Sequence, residues 1–108
     1  MFDKFEENLL TCGYFDVLNW GNDSVEIVSK QSRHYWIIKK FDKEGYPGLV
    51  LYHSHEGRYY HVHFCYLEQD IAPAISEILS HDRYIKKKLK LRGKITRVSN
   101  AELLRSIS

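Results

Sequence analysis

Four of the six histidines, His53, His55, His61 and His63, lie within eleven residues of one another in the stretch LVLYHSHEGRYYHVHFC. Imidazole exchanges its proton near neutral pH and is a common nitrogen ligand for metals, so a cluster of this kind could move protons or hold a cation. Two imidazoles acting as general base and general acid are the essential parts of a small metal-independent ribonuclease. Arg58 or a lysine would hold the phosphate, and Tyr52 or Tyr59 would stack a base. His53 and His61 are the candidate catalytic pair. An H-x-H pattern on a strand also occurs in zinc sites, because alternate side chains project the same way. Here no outer-shell carboxylate can be named and Cys65 is the only nearby thiol, so neither a metal nor a cofactor is expected. His34, beside Tyr35 and Trp36, and His81, beside Asp82, stand alone in the sequence. They are expected to be partly buried or surface residues without a role.

The second chemical feature is charge. Residues 1–70 hold 7 Lys or Arg against 11 Asp or Glu, and residues 71–108 hold 9 against 3, so the two parts carry net charges of −4 and +6. Arg83, Lys86, Lys87, Lys88, Lys90, Arg92, Lys94 and Arg97 follow one another with no acidic residue between them. A run of this kind suits phosphate, because each neutralised phosphate releases a counterion. A solvated helix face and a docking surface for an acidic protein are the alternatives. The stretch YHSHE resembles the His-Ser-His element of the JAMM metalloproteases over these few residues. That motif would place serine and aspartate where His63 and Tyr66 stand, so its chemistry is not carried over.

These groups must be positioned by elements that the hydrophobic pattern reveals. Phe2, Phe5, Leu9 and Leu10 at helical spacing, with Asp3 to cap and Gly13 to close, predict a short opening helix. From Tyr14 the period changes to two. The segments YFDVLNW, SVEIVSK, RHYWIIKKF, GLVLYHS and RYYHVHFCY predict a five-strand antiparallel meander, with DKEGYPG as the turn before the fourth strand. Trp20 and Trp36 are expected as core anchors or interface residues.

The loop between the last two strands decides which histidines meet. A two-residue Glu56-Gly57 turn would put His53 and His55 on the face opposite His61 and His63, but Glu suits its first position poorly. A three-residue His55-Glu56-Gly57 loop is expected instead, with His53 facing Tyr59 and Leu51 facing His61. Leu49, Leu51, His53, Tyr59, His61, His63 and Cys65 then share one face, and Val50, Tyr52, Tyr60, Val62, Phe64 and Tyr66 the other. His63 would lie beyond reach of the first pair. After the sheet, Ile71, Ala74, Ile75, Ile78 and Leu79 form a helical stripe capped by Asp70. Asp82 interrupts it, residues 85–98 fit helix or strand, Arg92-Gly93 reads as a stop, and Ser99 could cap a last short helix.

The expected fold is α+β: a meander sheet of about five strands, with a short N-terminal helix and C-terminal helices on one face, in a single domain spanning 1–108. Apolar and charged fractions of 44% and 28% are ordinary for a globular chain. Met1–Asn8 carry acid where a leader would carry base, and apolar runs are only a few residues long, so a cytoplasmic protein off the membrane is expected. Two widely spaced cysteines fit reduced thiols. Glycine-rich nucleotide loops are absent from the sequence. The leading functional expectation is a non-enzymatic binder of nucleic acid, RNA above DNA, or of a nucleoprotein complex, through the basic segment 83–97. An inhibitor or regulator of a single protein target, of the toxin-neutralising or anti-defence type encoded by mobile elements, and the histidine-dependent ribonuclease are the alternatives. A homodimer formed through a sheet edge is compatible with each.

Overall fold

A computed structural model describes the backbone of residues 1–107 and the side chains of residues 1–91. Helix α1 (Lys4–Leu10) begins in a capping box: the Glu6 backbone N–H donates to Asp3 Oδ1 at 2.8 Å, and the Asp3 N–H donates to Glu6 Oε1 at 3.1 Å. Strands β1 (Phe15–Trp20), β2 (Ser24–Ser29), β3 (Tyr35–Lys43), β4 (Tyr46–Ser54) and β5 (His61–Tyr66) follow as an antiparallel sheet in chain order. Glu44 and Gly45 join β3 to β4 with φ of 57° and 82°. Two successive positive φ values give a hairpin turn whose twist matches the strands. The strands therefore extend further into DKEGYPG than its turn chemistry suggests. Pro47 is tolerated inside β4 because β5 begins to pair only at Leu49.

One face of this sheet makes the core. Phe15, Val25, Ile27, Trp36, Ile38, Leu49 and Leu51 alternate inward and pack with Leu10 and with Ile71, Ala74 and Ile78 of the C-terminal helix. Trp36, Ile27, Ile38, Leu49 and Leu51 are fully enclosed. At the other end of the face Lys40 and Glu6 form a buried ion pair at 2.7 Å, with Lys40 Nζ also donating to the Met1 carbonyl. Trp20 is not a core anchor; it is exposed and meets Phe2 edge-on at 5.9 Å.

Two expectations are corrected. Helix α2 (Ala72–Ile107) is a single element, so the strand alternative for residues 85–98, the stop at Arg92-Gly93 and the cap at Ser99 all fall inside it. Asp82 does not interrupt the helix: it is 4% exposed on the inner face and accepts from Tyr14 Oη at 2.5 Å and from Ser29 Oγ. A carboxylate in a helical stripe looks like a break only until the sheet supplies donors for it. At the start of α2, Asp70 Oδ1 accepts from the Ala72 N–H, as its capping position suggests. Among the described residues no helix is long and apolar enough to cross a membrane.

Register in the last hairpin also differs. His53 pairs with His61, leaving His55–Tyr60 as the connection, which is longer than three residues. Within this connection Ser54 Oγ accepts from the Glu56 and Gly57 N–H groups at 3.3 and 2.9 Å and Gly57 supplies the positive φ of 82°, so the turn is closed by a side chain and pairing resumes only at His61. A bulge follows, with Leu51 opposite Phe64 and Tyr52 opposite Val62, so His63 is the extra residue. It keeps His63 on the side of His53 and His61, moves Tyr66 opposite Leu49, and sets Cys65 opposite Val50 on the other face.

Candidate histidine centre

All six histidines of the chain form one connected cluster, in which His53, His63 and His81 pack on Trp36. His53 is carried inward on β4 directly opposite Trp36 of β3, and their rings lie 4.4 Å apart. His34 precedes Trp36 by two residues, so the alternation of an extended chain returns it to the same face. It packs against His53 at 5.0 Å and His55 at 4.5 Å. His61 reaches His53 across the ladder at 5.1 Å, and His63 does so at 5.8 Å because the bulge turns it inward. From α2, His81 continues the stripe of Ala74 and Ile78 by one turn and closes on His53 at 4.7 Å, His34 at 5.2 Å and His63 at 5.8 Å.

Two layers are distinguishable. His53 is 3% exposed, whereas His34, His63 and His81 are half-buried and His55 and His61 are exposed. Burial, reinforced by the neighbouring His81, His34, His55 and His61 rings, pushes the His53 pKa down to about 3. Burial also lowers His34, with His55 adding to it, and lowers His81, with His34 and His63 adding to it. His34, His53 and His81 are therefore neutral at physiological pH. His34 Nδ1 and His53 Nε2 lie 2.9 Å apart, so one of the two carries the shared proton.

Several polar atoms around the centre are buried without partners among the described residues: Trp36 Nε1, His81 Nδ1 and Asp82 Oδ1. Leaving a buried donor or acceptor unpaired costs about 1–3 kcal/mol each. The ligand atoms of His34, His53 and His81 all lie within 4.8 Å of one another, and so do those of His53, His61 and His63. His63 Nε2 is held by Glu77 Oε1 at 3.0 Å. Tyr14, hydrogen-bonded to Asp82, has its phenol pushed up to about 12, first by burial and then by that carboxylate.

Of the catalytic pair expected from sequence, His53 and His61 do meet, but only His61 reaches solvent. His63, expected to lie out of reach, joins them. His34 and His81, for which the sequence alone suggests no role, complete the cluster. Their places were signalled by spacing, two residues before Trp36 and three after Ile78, although nothing local marked them as chemical. Arg58 and Tyr59 are exposed on the β4–β5 connection beside His55 and His61. Tyr52 projects from the opposite face and lines a groove with Ile37, Lys39 and Tyr60, so it is not available to a ligand over the histidines. Arg83, Lys86, Lys87, Lys88 and Lys90 are exposed along α2 and form no ion pair among the described residues. Side chains of Arg92, Lys94 and Arg97 lie outside the described residues. Comparisons with protein-family models, with curated proteins and with solved structures gave no match.

Proposed function

We propose that the protein cleaves single-stranded RNA by proton transfer between the exposed imidazoles of the histidine centre. The observation that supports this reading most is that two solvent-facing rings, His55 and His61, each pack on the enclosed His53, at 5.0 and 5.1 Å. A phosphodiester resting over His53 would have a proton acceptor and a proton donor at hand. One neutral imidazole takes the proton of a ribose 2′-hydroxyl as its oxygen attacks phosphorus. The other, protonated, gives its proton to the departing 5′-oxygen, and a 2′,3′-cyclic phosphate is left. Arg58 suits the charge that develops on the phosphoryl oxygens, and Tyr59 offers a stacking surface for an unpaired base. The enclosed His53 serves as the platform that orients the two outer rings; its lowered pKa makes it a poor proton carrier near neutrality. A cytoplasmic setting accords with Cys12 and Cys65, which are exposed and unbridged.

The experiment is cleavage of a labelled single-stranded RNA. Wild type should cut, and His55→Ala and His61→Ala should each lose activity by about 10²–10⁴-fold while keeping the wild-type circular dichroism spectrum. A wild-type preparation that never cuts RNA ends the proposal.

A second reading has its own observation: five exposed cations, Arg83 to Lys90, lack a carboxylate partner among the described residues. They would bind RNA or a nucleoprotein complex through phosphate, without reading sequence. Capture of one dominant protein from nuclease-treated lysate would favour a protein target instead.

A further inference from the structure

We infer that His34, His53 and His81 form a binding site for one zinc ion, with Asp82 as the carboxylate that balances its charge. Three imidazoles from three separate elements, the entry to β3, the end of β4 and the N-terminal third of α2, bring ligand nitrogens within 4.8 Å of one another. Zinc bound to imidazole at about 2.0–2.1 Å requires nitrogens somewhat closer than that, a distance that small ring rotations close. His34 Nδ1 and His53 Nε2 already approach to 2.9 Å.

The chemistry of the donors selects the metal. Neutral imidazoles suit zinc and its first-row neighbours, whereas magnesium and calcium seek oxygen ligands that this trio does not offer. Cysteine takes no part: Cys12 and Cys65 are both exposed and neither belongs to the cluster.

Two observations beyond the cluster itself point to a cation. His81 Nδ1 is buried without a partner among the described residues. Asp82, the next residue, is a buried carboxylate with no cationic side chain paired to it there. Tyr14 and Ser29 both donate to its Oδ2, and Oδ1 is left alone. A divalent ion among the adjacent imidazoles supplies the missing positive charge.

The other trio, His53, His61 and His63, shares one ring with this site and cannot be filled at the same time through the same atom. It is the weaker choice. His61 is exposed, and the carboxylate beside His63, Glu77, is itself half-exposed and already engaged with that ring.

This inference goes beyond the RNA-cleavage reading and shares with it only the enclosed His53, since His55 and His61 are not ligands. Its test uses untagged full-length protein, zinc sulfate as the probe, and two readouts: metal content after gel filtration, and the thermal midpoint with and without zinc. Wild type should retain about one zinc per chain and melt several degrees higher with it, while magnesium changes nothing. His34→Gln and His81→Gln should each lose zinc by at least about tenfold in affinity, Asp82→Asn should weaken it less, and His63→Ala should keep it. His34 is only half-buried, so its variant keeps the test valid if His81→Gln fails to fold. Absence of stoichiometric zinc in wild type overturns the site. Loss in His63→Ala together with retention in His34→Gln would move the metal to the other trio and equally overturn the assignment. Zinc retained by a His61→Ala protein that no longer cuts RNA would show the two functions failing separately.

Discussion

The histidine centre and the basic half of α2 carry the two conspicuous side-chain chemistries of this chain, and they are built in opposite ways. The basic residues are contiguous in sequence, and from Arg83 to Lys90 they stay exposed along one helix. The histidines are scattered from position 34 to position 81, and the fold brings them into one cluster around His53 and Trp36. A run of like charges needs no fold to exist and gains no new neighbours from one. A cluster of imidazoles under a helix exists only because the fold holds it, with burial suppressing the protonation that would drive the rings apart. The contrast predicts that damage to the core disables the histidine centre entirely, whereas changes on α2 beyond Asp82 leave it intact.

The largest effect should come from Trp36→Ala. The ring is fully enclosed and contacts His53, His63 and His81, so its removal should cost about 3–5 kcal/mol in urea unfolding and abolish any activity of the centre. Truncating Glu6 to Ala comes next. It strands the Lys40 ammonium in a pocket where both partners are only 8% exposed, and a loss of about 3–5 kcal/mol is expected without direct harm to the distant histidines. That variant separates loss of stability from loss of function.

The pH dependence sharpens the same comparison. In the folded chain His53 has its pKa lowered to about 3, against about 6.5 when unfolded, so the unfolded state binds the extra proton first. The resulting stability is fully present above about pH 6.5 and is lost as pH falls from there toward about 3. Urea midpoints should therefore decline between pH 6.5 and 5 in wild type, and more weakly in His53→Asn; equal slopes would contradict the buried neutral ring. The smallest effect belongs to α2. Changing Lys86, Lys87 and Lys88 together to Gln should leave folding unchanged and flatten the salt dependence of RNA affinity by about 0.7 per lost contact.

Much of the architecture was legible. Period-two alternation from Tyr14 to Tyr66 and the stripe from Ile71 to Ile78 gave the meander, its order and the covering helix. What failed were features that depend on tertiary partners. Asp82 reads as a break until Tyr14 and Ser29 donate to it. The last hairpin's register is not legible because pairing resumes only at His61, three residues beyond the expected three-residue loop, while Ser54 Oγ captures two backbone donors inside the longer connection. His63 was placed too far away because a bulge leaves no composition signal. His34 and His81 carry no local mark, and their membership in the centre follows only from the faces on which alternation and helical spacing set them.

The most direct measurement is the fate of a labelled single-stranded RNA incubated with wild-type protein, His55→Ala and His61→Ala, all three checked for native folding. The account predicts products ending in 2′,3′-cyclic phosphate from wild type and almost none from either variant. RNA left whole by wild type, or cut equally by all three, would contradict it.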